Sequence, residues 1–189
     1  MPDGASLADQ RRGAWIQTFT GVQFWPMDPR SGEIRIVDIA HSLAMLCRFN
    51  GHCRRFYSVA EHSVHVSHVV APLHAPWGLL HDAAEAYISD MPQPIKRELS
   101  VFSMFEEQLQ QVIARRFGLP DVLPAAVKQA DMQLLATEKL ALMGPEPAVW
   151  TGLPEPLDPG LIRAWSPEQA EHAFLNRFYD LFAHERPAG

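Results

Sequence analysis

The segment from His81 to Asp90 places three carboxylates and one imidazole within ten residues whose other side chains are small or apolar. If residues 76–88 form a helix, the rotation of about 100° per residue puts His81, Asp82 and Glu85 on one side of it. Apolar side chains flank this polar side, so the helix is expected to be buried. Buried carboxylates need a strong compensating partner, and a divalent metal ion is one such partner.

Two other segments carry ligands of the same kind. Ser58 begins a Ser-x-x-Glu capping box, which predicts a helix over residues 58–71 with His62 on its apolar face. Residues 124–143 are predicted as a helix that places Asp131 within an apolar stripe, where an unpaired carboxylate would cost several kcal/mol. A bare His-Asp pair is more often an ion-paired surface dipeptide. Only the three segments together indicate a metal site.

The order of these residues, a His, then adjacent His-Asp, then a distant Asp, resembles that of the HD-domain phosphohydrolase superfamily. Within it, residues 81–96 resemble the pattern of the bacterial 5'-deoxynucleotidases and their phage-type relatives, His-Asp-Ala-x-Glu followed by Asp-x-Pro-x-Pro-x-Lys. The resemblance covers residues 36–142 and implies that His62, His81, Asp82 and Asp131 bind one divalent metal ion. Mixed nitrogen and oxygen ligands suit Mn, Co, Ni, Zn or Fe, and the sequence does not choose among them.

Glu85 and Asp90 are the expected catalytic residues. Glu85 follows His81 by one helical turn, where it could orient or deprotonate the attacking water, or protonate the leaving oxygen. The alternative is a structural salt bridge from Glu85 to Lys96 or to an arginine. By resemblance, Asp90 lies close to the phosphate and the sugar.

Arg48, Phe49 and Lys96 are the expected substrate-binding residues. Arg48-Phe49 resembles the Arg-aromatic pair that precedes the Glu-His-Ser motif in the deoxynucleotidases, although that family has Trp at the second place. Three arginines between residues 48 and 55 suit a bidentate grip on phosphate oxygens. A basic surface loop without a ligand is the alternative. By resemblance, Lys96 and Arg48 balance the charge of the phosphate.

We therefore expect a metal-dependent phosphohydrolase that removes the 5'-phosphate of a (deoxy)nucleoside monophosphate through attack of a metal-bound water. A deoxynucleoside triphosphate triphosphohydrolase and a phosphodiesterase or alarmone hydrolase are the alternatives, and a nucleotide-binding regulatory HD domain is the non-enzymatic one. The formal charge of −6 provides no basic surface for a nucleic acid polymer, so the expected partner is a small nucleotide. A homodimer is left open.

The 189 residues are expected to form one all-α domain, an HD-domain helical bundle with a short extended or hairpin N-terminal arm. Its core spans residues 36–143, followed by a Pro-rich loop at 144–165 and a C-terminal helix at 166–186. Cys47 and Cys53 suit a reducing compartment and a packing role. No apolar run approaches the roughly 18 residues of a membrane span, so a cytoplasmic location without membrane contact is expected.

Other polar residues are assigned structural or surface roles. His41 is predicted to be packed and hydrogen-bonded, and His65 to lie beside the site or at the surface. Glu138 follows Asp131 by one heptad and is predicted to pair with an arginine. The histidines predicted to be exposed are His68, His172 and His184.

Overall fold

The computed structural model describes residues 11–183, in which a two-stranded hairpin precedes eight α-helices. The elements are β1 (Ile16–Gln17), β2 (Gln23–Phe24), α1 (Ile36–Met45), α2 (Val59–Val69), α3 (Ala75–Leu80), α4 (Glu85–Ile88), α5 (Gln93–Lys96), α6 (Ser100–Arg116), α7 (Ala125–Leu142) and α8 (Pro167–Leu181). The predicted all-α class with an N-terminal hairpin agrees with this architecture. None of the helices in the described part of the chain is both long and apolar enough to cross a membrane.

The N-terminal arm is an antiparallel hairpin that is fastened to the start of α1. Ile16 pairs with Phe24, and the buried Phe24 ring stacks on Tyr87 with 4.1 Å between centroids. The amide and hydroxyl of Thr20 donate to the two oxygens of the buried Asp38 carboxylate, at 2.6 and 2.9 Å. These bonds give the polar turn of the hairpin a defined place on the helical core.

Helix α2 is the central element, since it packs against α1, α3, α7 and α8. Every residue of α2 from Val59 to Ser67 is buried, as expected for a helix covered on all sides. Ser58 caps it by accepting a hydrogen bond from the amide of Glu61 at 3.1 Å. The prediction of a helix rather than a strand for this valine-rich segment is confirmed.

The helix predicted over residues 76–88 is interrupted, and this prediction is corrected. The chain leaves α3 after Leu80, passes through a turn at His81–Ala84 and resumes as α4. The side chain of Gln110 on α6 inserts here: its Nε2 donates to the carbonyl of Leu80 at 2.6 Å, and its Oε1 accepts from the amide of Ala84 at 3.2 Å. In an unbroken α-helix these two backbone groups would bond to each other, so the inserted amide accounts for the break.

The remaining helices agree with the sequence to within a few residues. The apolar spacing of the sequence predicts helices over residues 36–47 and 102–117, and the structure has α1 ending at Met45 and α6 spanning Ser100–Arg116. Helix α8 begins with a capping box between Ser166 and Gln169 and packs on α1, α2 and α3. Residues 184–186 of the predicted C-terminal helix, and with them His184, lie outside the described residues, as do residues 1–10.

Candidate metal centre

His62 lies fully buried at the middle of α2, and its ring orientation is determined by α7. Its Nδ1 donates to Oε1 of the equally buried Glu138 at 2.6 Å. This bond leaves Nε2 of the neutral ring as the lone-pair nitrogen, directed at the centre of the cluster. A carboxylate that orients a histidine in this way is the usual support of a metal-binding imidazole.

His81 is oriented by its own helix. Its Nδ1 donates to the carbonyl of Gly78 at 2.9 Å, which again leaves Nε2 to face the centre. Gly78 also allows α3 to approach α2 closely, since a Cβ at this position would lie 2.9 Å from the Cα of Ser67. The absence of a side chain at Gly78 thus brings His81 next to His62.

Ligand atoms from His62, His81 and Asp131 all lie within 4.8 Å of one another and form a group that could hold a metal ion. His62 Nε2 is 3.3 Å from His81 Nε2 and 3.2 Å from Asp131 Oδ1. Asp82 Oδ2 adds a fourth atom, 3.2 Å from His81 Nε2 and 3.7 Å from His62 Nε2. Ligands bound about 2.1 Å from one first-row divalent ion at angles of about 90–109° would be separated by roughly 3.0–3.4 Å. The three spacings of 3.2–3.3 Å fall in this range, and the 3.7 Å spacing between Asp82 and His62 exceeds it.

Behind the cluster, Glu138 accepts hydrogen bonds from three buried groups. Besides His62, the Tyr57 hydroxyl donates to it at 2.9 Å and Arg48 Nε at 3.1 Å. Burial by itself would raise the pKa of Glu138, but Arg48 and His62 outweigh burial and hold the pKa below its ordinary value. The predicted arginine partner of Glu138 is therefore Arg48, and Glu138 also touches the candidate ligand His62.

Without a metal ion, the cluster holds a proton on His62. Burial and the charge of Arg48 lower the pKa of His62, yet Glu138 and Asp131 outweigh them and raise it to about 9. Burial would raise the pKa of Asp82, but His81, His62 and Arg48 hold it well below the usual range. Burial would also raise the pKa of Asp131, but a hydrogen bond from His62 and the charges of His62 and His81 lower it. Two ionised carboxylates therefore face the imidazoles and favour a cation.

Glu85 differs from the other acids of the site. It is 8% exposed, and its Oε2 is buried without a hydrogen-bond partner in the described structure. Burial together with the charges of Asp82 and Asp90 raises the pKa of Glu85 well above its ordinary value. A buried carboxyl group whose pKa is raised in this way is suited to proton transfer. No salt bridge of Glu85 to Lys96 or to an arginine is found among the described residues, so this predicted alternative gains no support.

The cluster opens into a cavity of about 880 Å³. All five residues predicted to be catalytic or substrate-binding line it, together with two of the candidate ligands; they are Arg48, Phe49, Glu85, Asp90 and Lys96, with Asp82 and Asp131. The wall thus brings together parts of the chain that are far apart in sequence. Its size is that of a typical small-molecule site.

The predicted substrate-binding cations already have protein partners. Arg48 lies between Glu138 and Asp82, and the distance from Arg48 Nη1 to Asp82 Oδ2 is 3.7 Å. Lys96 Nζ contacts the Glu106 carboxylate at 2.5 Å. Phe49 and Asn50 adopt the left-handed conformation, with φ of 56° and 50°, so the chain turns sharply directly after Arg48. Arg48 and Lys96 both border the cavity. An anionic ligand that binds either cation would share that cation with a carboxylate of the protein.

Several polar residues have roles that the sequence did not indicate. Glu61, read only as part of the capping box, is buried and accepts from the amides of residues 163–165, at 2.6–2.9 Å. His65 is also buried and packs on Trp165. The thiols of Cys47 and Cys53 are 3.5 Å apart. For Glu138, the sequence signal of burial is its position seven residues after Asp131, on the same apolar stripe of α7.

His41, His68 and His172 are found as expected. His41 Nδ1 contacts Glu171 Oε2 at 3.0 Å, and its ring stacks on Phe19 with 3.7 Å between centroids. His68 and His172 are exposed. None of the three belongs to the cluster of candidate ligands.

Comparison with known proteins identifies two relatives. The uncharacterized protein YfdR of Escherichia coli (strain K12) is 39% identical over 178 residues, which cover 89% of this chain and 96% of YfdR. The uncharacterized protein RCAP_rcc00048 of Rhodobacter capsulatus is 38% identical over 127 residues, which cover 62% of this chain and 65% of that protein. No family model matches the chain.

Proposed function

The chain belongs to the same family as YfdR, and we propose that it is a metal-dependent phosphohydrolase that removes the 5'-phosphate of (deoxy)nucleoside monophosphates. The observation that carries the proposal is the group of His62, His81 and Asp131, with Asp82 3.2 Å from His81, beside a ligand-sized cavity that Asp82 and Asp131 line. The resemblance of residues 81–96 to the deoxynucleotidase pattern supports the same activity. It also supports an HD-domain fold for the helical core.

The four ligands would hold one divalent ion of the Mn, Co, Ni, Zn or Fe type. Such an ion would supply Lewis acidity toward a phosphate oxygen and toward water. Two imidazole nitrogens and two carboxylate oxygens form a donor set that these ions accept, whereas the thiols of Cys47 and Cys53 are not part of the cluster. Support from Glu138 and from the Gly78 carbonyl keeps both rings in the tautomer that binds a cation.

The side chains of the cavity wall have separate tasks in this hydrolysis. Glu85 transfers a proton, because its buried carboxyl group has a raised pKa and borders the cavity. Arg48 and Lys96 attract the phosphate. Arg48 exchanges its contact with Asp82, and Lys96 part of its contact with Glu106, for contacts with the phosphate oxygens. Asp90 lies on the same wall, and the resemblance implies that it lies close to the phosphate and the sugar.

The proposal is tested with a panel of nucleotides and metals. Purified protein is stripped with a chelator, reloaded with Mn, Co, Ni, Zn or Fe, and incubated with deoxynucleoside mono- and triphosphates, a cyclic nucleotide and guanosine tetraphosphate, while released phosphate and tripolyphosphate are measured. Phosphate from dAMP with no tripolyphosphate from dATP is the expected result. Tripolyphosphate from dATP would replace the proposal by a triphosphohydrolase, and turnover of a cyclic nucleotide or of guanosine tetraphosphate alone would replace it by a phosphodiesterase or alarmone hydrolase.

Two variants tie the activity to the cluster. Asp82→Ala removes a candidate ligand and should lose both bound metal and phosphate release. Asp121→Ala removes an exposed aspartate outside the cluster and serves as the control with unchanged metal content. Full metal occupancy in Asp82→Ala would contradict the assignment of the ligands. Nucleotide binding by the parent protein without turnover of any substrate would indicate a regulatory domain.

A further inference from the structure

The loop that follows α7 is fastened to that helix by a small polar network. Glu146 Oε1 accepts from Lys139 Nζ at 2.6 Å and from the amide of Trp150 at 2.8 Å. The ammonium of Lys139 also lies 5.5 Å from the centroid of the Trp150 ring. Further along, the amide of Leu157 donates to the hydroxyl of Thr137 on α7 at 2.8 Å. The Pro-rich loop is thus attached to α7 at two separate points.

This attachment makes the loop a wall of the metal-site cavity. Trp150, Thr151 and Leu153 line the cavity from the loop, and Met132 and Leu135 line it from α7. Trp150 is 37% exposed, so much of its ring is accessible. The Lys139 ammonium lies over the indole, and the indole also borders the cavity.

The cavity therefore has a charged end and an apolar end. Helix α7 contributes to both: Leu135 on the apolar wall follows Asp131 of the metal cluster by one turn, about 6 Å along the helix axis, and Lys139, which contacts Trp150, follows it by two turns, about 12 Å. Ligands that match both ends carry an anionic group and a flat apolar group on one short frame. A phosphate joined to a sugar without a base would leave the tryptophan wall unused.

We propose that Trp150 is the platform on which the base of the nucleotide stacks while its phosphate lies at the metal cluster. This inference rests on the proposed function and extends it from the phosphate to the nucleoside. All bases have a π-face, so a stacking platform accepts purines and pyrimidines alike and favours the larger purine rings. The enzyme should accordingly discriminate weakly among bases, and it should discriminate strongly against sugar phosphates that lack a base.

The kinetic test compares dAMP with deoxyribose 5-phosphate in four proteins. Loss of one base–aromatic stack corresponds to roughly a 5- to 150-fold loss, so Trp150→Ala should lower kcat/KM for dAMP by that factor. The same variant should leave kcat/KM for deoxyribose 5-phosphate unchanged, and Trp150→Phe should retain most activity on dAMP. Trp15→Ala, which removes an exposed tryptophan outside the cavity wall, is the matched control. An equal loss on both substrates, or no loss on dAMP, would overturn the inference.

A binding test decides the question even if no phosphate is released. Deoxyadenosine carries the base without the phosphate, and its affinity is measured by calorimetry in the presence of chelator. Trp150→Ala should weaken this binding, and Glu146→Ala should weaken it too, because it releases the loop from Lys139 while the indole remains. Absence of saturable deoxyadenosine binding to the parent protein, or equal affinity in Trp150→Ala, would refute the base platform. Failure of hydrolysis with intact, Trp150-dependent binding would refute only the proposed function.

Discussion

Replacement of Glu138 by alanine should damage both the folding energy and the metal affinity of the protein. The change removes the common acceptor of three buried donors, His62 Nδ1 at 2.6 Å, Tyr57 Oη at 2.9 Å and Arg48 Nε at 3.1 Å. Removal of one member of a buried ionic network usually costs about 3–5 kcal/mol, because the opposite charge stays buried without its partner. Arg48 keeps only the longer contact to Asp82, so we expect a loss within this range.

The effect on the metal site follows from the lost support of His62. Without the carboxylate, the His62 ring is no longer held in one orientation, and such outer-shell losses typically lower metal affinity by about 10- to 100-fold. Urea unfolding of the metal-free protein measures the first effect, and calorimetric titration with Mn or Co measures the second. Glu138→Gln retains an acceptor for His62 but lacks the charge that pairs with Arg48. Relative to Glu138→Ala, it should therefore recover more of the metal affinity than of the free energy of unfolding.

Glu171→Ala provides the matched control for Glu138→Ala. It also breaks a contact between a glutamate and a histidine, the 3.0 Å pair of Glu171 with His41, but this pair lies outside the cluster. Its metal affinity should equal that of the parent protein. Parental metal affinity in a folded Glu138→Ala variant would refute the role of Glu138 as the support of His62, whatever its effect on stability.

Three further predictions follow from the same geometry. Gly78→Ala should push α3 away from α2, because its Cβ would lie 2.9 Å from the Cα of Ser67. We expect urea unfolding to show a free energy of unfolding lower by about 1–3 kcal/mol, together with a lowered metal affinity. Parental values of both would contradict the role of this close approach. Glu85→Gln should keep the metal and the fold but lose about 10²- to 10⁴-fold in kcat, and activity within a fewfold of the parent would leave Glu85 without a role in proton transfer. The pKa of His62 is raised to about 9 without metal, above the ordinary value of about 6.5, so His62 stabilises the metal-free protein fully below about pH 6.5 and loses that contribution as the pH rises through 9. Titration with metal at pH 7 should accordingly release about one proton in unbuffered solution, and His62→Gln should abolish this release.

Much of the helical framework was predictable from the sequence, because the signals for it are local. Ser58 and Ser166 precede their helices as capping residues, and the apolar spacing of residues 124–143 matches α7. His62 was recognisable as a buried polar residue because it interrupts the apolar face of its helix, whereas Asp131, which also interrupts an apolar stripe, is only partly buried. Such patterns span only a few turns, so they can be read without knowledge of the rest of the molecule.

The contacts that shape the site depend on packing between distant segments, and only the tertiary structure decides them. Glu138 meets His62 across 76 positions of sequence, and Gln110 meets Leu80 across 30. No local pattern shows that an amide from α6 interrupts the helix beside His81, or that Arg48 lies between two carboxylates. The sequence indicates some of the polar side chains that are buried, such as His62, because they lie on an apolar face. Tertiary packing determines which partner each one finds, because a buried polar group bonds to whichever complementary group the neighbouring helices bring within reach.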